Sequence, residues 1–226
     1  MGTFQELKST DGHTFQAYVA KPIGEAHAAL VVLQEIFGVN SHIREVADSY
    51  AKEGYLVIAP ATFSRLETNV ELGYSDQDIS TGFALKQAVS ALPSDPLMLD
   101  IQAAIDFAKE SGKKVGIFGY CWGGLLAWRS AAELNGIDAA VTYYGGGMPQ
   151  EAHLKPSCPV LSHFGELDTH IPLDSVKAFE KAHPEVEVHI YPAQHGFNCD
   201  QRGSYDAPSA QLARARTLDF FKKHLA

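Results

Sequence analysis

The run Val115-Gly116-Ile117-Phe118-Gly119-Tyr120-Cys121-Trp122-Gly123-Gly124 passes from an apolar strand, through Gly-x-Cys-x-Gly-Gly, into a helix. This is the nucleophile-elbow pattern with a thiol in place of the usual hydroxyl. Glycines on both sides of the cysteine let strand and helix approach closely enough to hold the side chain on a strained turn, clear of the sheet. The N-terminal dipole of the following helix then faces the sulfur and favours the thiolate. Two plainer readings compete: a buried cysteine in a Gly-rich turn, and a phosphate loop. No Lys-Ser/Thr pair follows the glycines and Gly-x-Gly-x-x-Gly is absent, which removes the phosphate loop.

Upstream, residues 4–8 and 13–20 alternate around the turn sequence Thr10-Asp11-Gly12, predicting an N-terminal hairpin. Ala28–Leu33 reads as a fully buried central strand. Ser41 is expected to cap a helix in which Ile43, Val46 and Tyr50 share a face and which ends at Gly54. Tyr55–Ala59 is the next strand, stopped by Pro60. The polar stretch Ala61–Asp78 is long for a loop, and Ser64–Asp78 is open to two readings, a lid or plain surface. Helices follow over 79–90 and from Asp95-Pro96, where Met98, Ile101, Ile105 and Ala108 fall at helical spacing. After the strand 114–118 and the helix 124–133, strands are predicted at 138–143, 159–164 and 186–191. A helix is expected near 174–183, and a last one near 206–225 with Leu212, Ala215, Leu218 and Phe221 on one face. Such alternation predicts an α/β fold, a mainly parallel central sheet with helices on both faces. No linker or charge run divides the chain, so residues 1–226 read as one domain.

A chain of 226 residues that is 46% hydrophobic and 20% charged can build one substantial core. Its formal charge of −9 argues against binding nucleic acid or an anionic membrane. An anionic small molecule would still need only one or two local basic groups. Met1–Glu6 has neither the basic region nor the apolar core of a signal peptide, and the apolar run Ala28–Leu33 is too short to cross a bilayer. Cys121, Cys158 and Cys199 are widely spaced, and no His/Cys/Asp grouping has zinc spacing. The expectation is a cytoplasmic protein, monomeric, with no metal, membrane or nucleic-acid partner.

A thiol needs a base, and the base an orienter. In open parallel sheets functional groups collect beyond the carboxyl ends of the strands. Asp168 follows the strand 159–164 through Gly165-Glu166-Leu167, and His195 follows 186–191 through Pro192-Ala193-Gln194. Nucleophile, acid, histidine is the chain order of a Ser/Cys hydrolase on such a sheet. His195 would take the thiol proton and Asp168 would fix the imidazole tautomer. Each has a plainer reading: a βα-loop aspartate is usually a cap or turn residue, though Asp174 looks more like the cap here. Most of the ten histidines must be surface or structural. His163, within a strand, and His170 rank below His195. The oxyanion hole is expected from the N–H of Trp122 and of Ile36, in the loop Gln34-Glu35-Ile36-Phe37-Gly38. Glu35, at the end of a buried strand, is costly unless paired; it reads either as a structural ion pair, with Arg44 as partner, or as a carboxylate facing the thiol.

These segments, with Tyr143-Tyr144-Gly145, Gln194-His195-Gly196-Phe197 and Arg216-Thr217-Leu218, resemble the dienelactone hydrolases (carboxymethylenebutenolidases), a thiol branch of the α/β-hydrolase fold. The resemblance spans nearly the whole chain and implies Cys121, Asp168 and His195 as the triad. It implies Glu35 as the carboxylate that holds the resting thiol, and Ile36 and Trp122 as the oxyanion donors. Members specialised for dienelactone hold the substrate carboxylate with two arginines, one of them four residues after the histidine. That position here is Cys199, and no arginine lies between Arg65 and Arg129, where the other is expected. Arg202, Lys86 and Phe37 are the substrate-binding candidates, although a lysine or displaced arginine cannot reproduce a bidentate clamp. The expected function is hydrolysis of a lactone or activated ester through an acyl-thioenzyme, needing no cofactor. A broader carboxylesterase, a cysteine peptidase and a thiol redox or binding protein with Cys158 or Cys199 as resolving thiol stand as alternatives.

Overall fold

The computed structural model describes residues 1–226. The strand that delivers Cys121, β5 (Val115–Tyr120 in chain order), is buried along its whole length. It lies between β3 (Ala29–Leu33) and β6 (Ala139–Tyr143), both parallel to it and wholly buried. Strands covered on two faces have no polar side, so these segments read as continuous apolar runs. The parallel sheet continues through β4 (Leu56–Pro60) on one side and β7 (Val160–Gly165) and β8 (Glu187–Tyr191) on the other. The predicted hairpin, β1 (Thr3–Lys8) and β2 (Thr14–Ala20), adds an antiparallel edge against β4. The resulting order is β1-β2-β4-β3-β5-β6-β7-β8.

Helices α1 (Ser41–Lys52) and α6 (Ala207–Leu225) share one face of the sheet. Arg214 ties them together, reaching Glu53 at 3.0 Å and lying 4.5 Å over the Tyr50 ring. Helices α3 (Pro96–Lys109), α4 (Trp122–Glu133) and α5 (Leu173–Ala182) cover the opposite face. There Gln102 bonds to the Asn135 carbonyl, and Trp128 meets Phe179 edge-on at 5.1 Å.

The structure moves two helix boundaries and one buried helix face. The N-cap of α1 is Asn40, whose side chain accepts from Ile43 N, rather than Ser41, whose hydroxyl donates to Gln201. Helix α2 (Asp76–Ser90) starts three residues early because Ser75 and Asp78 form a reciprocal capping box. On α6 the predicted stripe is offset: Leu212 and Ala215 are exposed, while Ala213, Thr217, Phe220 and Phe221 are buried. The buried arc carries Ala210, Ala213, Phe220, Phe221 and Leu225, and on it the Thr217 hydroxyl meets Tyr143 Oη at 2.6 Å and His163 Nε2 at 3.0 Å. The stretch before α2 is tied down at several points. Phe63 stacks on Trp122 (5.1 Å, 12°), Arg65 grips buried Asp100 at 2.7 Å through two nitrogens, and Glu71 bridges to Gly38. No helix is long and apolar enough to cross a membrane.

Candidate active site

Cys121 sits between β5 and α4 with φ 54° and ψ −117°, a conformation that L-residues avoid. Such a residue costs about 1–3 kcal/mol and persists only where its surroundings hold it. Here its N–H donates to the Tyr143 carbonyl (2.9 Å), and its own carbonyl accepts from Gly124 N (3.0 Å) in the first turn of α4. The flanking glycines permit the turn by close approach. A Cβ on Gly119 would lie 2.1 Å from the Gly123 carbonyl oxygen, and one on Gly123 would lie 2.3 Å from that of Leu33. Strand β3, helix α4 and the loop after β3 therefore converge where the sulfur emerges. Trp122 is buried behind it, and its stacking on Phe63 adds about 0.5–1.5 kcal/mol beyond burial.

Asp168 and His195 meet as their strand-end positions predict. His195 Nδ1 lies 2.7 Å from Asp168 Oδ2, and the other oxygen of Asp168 accepts from His170 N (2.8 Å) and Ile171 N (3.2 Å). One oxygen of Asp168 thus organises the loop while the other faces the imidazole. Asp174 is not a cap; it lies in the first turn of α5, whose N-cap is Pro172. Burial disfavours the charged His195 ring, but the Cys121 sulfur and the Asp168 carboxylate outweigh it and raise the pKa to about 10. A carboxylate on one nitrogen and a thiol within its field are the arrangement that draws a proton from sulfur to imidazole.

Glu35 lies two residues past the end of β3, its side chain only 1% exposed. Its predicted partner Arg44 instead pairs with Glu71 at 2.8 Å, because α1 points that guanidinium outward along the loop. The charge on Glu35 is met by Arg202, whose Nη1 reaches Oε1 at 3.1 Å, while Oε2 has no hydrogen-bond partner. Arg202 lies against a pair of aromatic rings, 5.6 Å from the centroid of Phe37 and 5.9 Å from that of Tyr74. Phe37 is buried beneath this guanidinium, and Lys86 is half-buried on α2 with its ammonium over Phe83. Ile36 N and Trp122 N donate to no carbonyl of the chain, leaving both available as the expected pair of oxyanion donors.

The sequence pattern of the family described as "Dienelactone hydrolase family" matches residues 15–225. The chain belongs to the dienelactone hydrolase family. It is 35% identical to the carboxymethylenebutenolidase of Pseudomonas putida over 224 residues, covering 95% of this chain and 93% of that one. A Klebsiella pneumoniae protein assigned as a dienelactone hydrolase superimposes with a TM-score of 0.86 at 32% identity, covering 99% and 98% of the two chains. The fold extends further, to a Pyrococcus furiosus esterase with a TM-score of 0.74 at 16% identity, over 100% of this chain and 93% of the esterase.

Against the arginine that the resemblance to dienelactone-specialised members leads one to expect, Cys199 is buried, and burial beside the Glu35 charge pushes its thiol up to about 12. Burial likewise raises Cys158 to about 12. Neither offers a thiolate at neutral pH, which weighs against a resolving role for either. Two further rings flank His195. The ring of Tyr144 (φ 37°) lies 5.1 Å from the imidazole, and His170 flanks it from another side at 5.1 Å. Their signal was positional, since each follows the end of a strand on the side where Cys121 emerges. His163 is structural, buried between Tyr191 Oη (2.8 Å) and Thr217.

Proposed function

We propose that this member of the dienelactone hydrolase family, a lactone and carboxylic ester hydrolase, works through Cys121 and an acyl-thioenzyme. The observation that carries this reading is the strained backbone of Cys121 at the head of α4, within the field of an imidazole oriented by Asp168. Substrate would displace Glu35 from Arg202 or reorient Cys121, freeing a thiolate to attack the carbonyl carbon. The oxyanion would form against Ile36 and Trp122 N–H, where one lost donor costs about a hundredfold or more. Collapse expels the alcohol or enol, which takes its proton from His195 and leaves a thioester on Cys121. His195 then activates water, and the acid departs with the thiol restored. Because thiolate leaves more readily than alkoxide, the intermediate reverts unless the other leaving group is good, which favours enol lactones and activated esters.

The engagement of Arg202 with Glu35, and Cys199 in place of an arginine, favour a second reading: the same mechanism on a neutral acyl substrate. The deciding experiment compares hydrolysis of a dienelactone with that of a neutral aryl ester, using Cys121→Ala as control. Acid-quenched mass spectra of the parent should show an acyl adduct on Cys121. Activity that survives Cys121→Ala refutes the thiol mechanism. Aryl ester cleavage without dienelactone turnover selects the second reading.

A further inference from the structure

Beside Glu35 lie two buried groups, His42 and Cys199, that hydrolysis does not account for. His42 is in the first turn of α1 and Cys199 in the turn after His195. Each of the three offers one ligand atom, and those atoms all lie within 4.8 Å of one another. His42 Nε2 and Glu35 Oε2 are both buried without a hydrogen-bond partner. Such orphans cost about 1–3 kcal/mol each, so two of them in one cluster point to a missing electrophile. The other nitrogen of His42, Nδ1, lies 3.2 Å from Asp200 Oδ1. A carboxylate on the far nitrogen is the backing that fixes the tautomer of a metal-binding histidine and aims its lone pair.

We propose that Glu35, His42 and Cys199 bind one divalent cation of the zinc type, in a site that shares Glu35 with the candidate active site. A thiolate, an imidazole and a carboxylate suit zinc, whereas magnesium and calcium take oxygen ligands alone. Tetrahedral zinc sets its ligand atoms about 3.5 Å apart, so side-chain adjustments of about 1 Å complete the site. Cys199 gives its proton to solvent as the S–metal bond forms. The thiolate and Glu35 then neutralise the cation, while Arg202 on Oε1 and Asp200 behind His42 offset each other. Solvent reaches the His42 ring through a cleft of about 310 Å³ lined in part by Glu45, Asn198, Asp200 and Arg214. A cation held there keeps Glu35 from moving. If Glu35 gates the thiol, as in the proposed function, binding slows hydrolysis.

The test reads metal directly and so is independent of the hydrolytic mechanism. Co²⁺ is titrated into full-length Cys121→Ala, which removes the other thiol–imidazole pair. The expected result is one Co²⁺ per chain, a near-ultraviolet thiolate-to-cobalt charge-transfer band, visible bands of a tetrahedral site, and displacement by Zn²⁺. Adding Cys199→Ser should abolish the charge-transfer band, adding His42→Gln should weaken binding at least tenfold, and adding Cys158→Ser should change neither. Thermal unfolding of each variant without metal checks that it folds; should Cys199→Ser fail to fold, His42→Gln carries the test. Absence of the band in Cys121→Ala, its survival in Cys199→Ser, or unchanged affinity in His42→Gln overturns the proposal.

Discussion

Replacing Asp168 with asparagine should slow catalysis by orders of magnitude while leaving the fold intact, because the two oxygens of this carboxylate have different partners. Oδ1 accepts from His170 N and Ile171 N at 2.8 and 3.2 Å, and an amide NH₂ cannot accept from either. The asparagine oxygen must therefore stay on the loop, and its NH₂ must face His195 Nδ1, where Oδ2 now lies at 2.7 Å. Two donors cannot meet there, so Nδ1 gives up its proton and the neutral ring carries it on Nε2. An imidazole in that tautomer cannot take a proton from Cys121. A general base contributes about 10²–10⁴-fold, and a histidine trapped in the wrong tautomer elsewhere loses about 10⁴-fold. We expect kcat to fall about 10³–10⁴-fold at pH 7, about 4–5.5 kcal/mol of transition-state stabilisation. Thermal stability should change by less than about 1 kcal/mol, since both backbone N–H groups keep their acceptor. Asp168→Ala strands them and should cost about 1–3 kcal/mol, lowering Tm by roughly 2–4 °C per kcal/mol for a domain of this size. The assay is initial-rate hydrolysis of an activated aryl ester beside thermal unfolding. An Asp168→Asn enzyme within tenfold of the parent, with unchanged Tm, would show that Asp168 is only a turn residue.

Arg202→Met leaves the Glu35 carboxylate buried without its cationic partner and should cost about 3–5 kcal/mol in urea unfolding. Adding Glu35→Gln should recover most of that loss, and a deficit under about 0.5 kcal/mol in the single variant would contradict the ion-pair account. Gly119→Ala drives its Cβ into the Gly123 carbonyl at 2.1 Å and should destabilise by about 1–3 kcal/mol with loss of activity, whereas Gly146→Ala meets nothing within 4 Å and should be silent. Burial holds the His163 pKa well below the usual value of 6.5. Above pH 6.5 the ring is neutral folded and unfolded; below it the unfolded chain takes up a proton that the folded one refuses, so stability falls as pH falls. The slope is at most about 1.4 kcal/mol per pH unit. Unfolding curves from pH 7 to 5 should show one proton less of this dependence in His163→Gln, and equal slopes would refute the assignment.

Much of this molecule is written locally. The run into Cys121 specifies a strand, a sharp turn and a helix by glycine placement and apolar content, and the structure has all three. The meeting of Asp168 and His195 is legible in the sequence because a parallel sheet gathers its loops at the carboxyl ends of its strands, so chain order predicts proximity. What position along the chain cannot specify is which buried charges meet. Glu35 and Arg202 are 167 residues apart, and nothing local distinguishes Arg202 from Arg44 as the partner. Likewise Glu35, His42 and Cys199 show no metal-ligand spacing, since they lie on three segments brought together only by the packing of α1 and the post-His195 turn against the end of β3. The buried arc of α6 shows the same limit: periodicity selects Leu212, but the arc that is buried includes the polar Thr217, whose partners Tyr143 and His163 lie on distant strands. Backbone preference and hydrophobic pattern act over a few residues and can be read from sequence. Pairing of buried polar groups is set by desolvation, which depends on the whole packed fold.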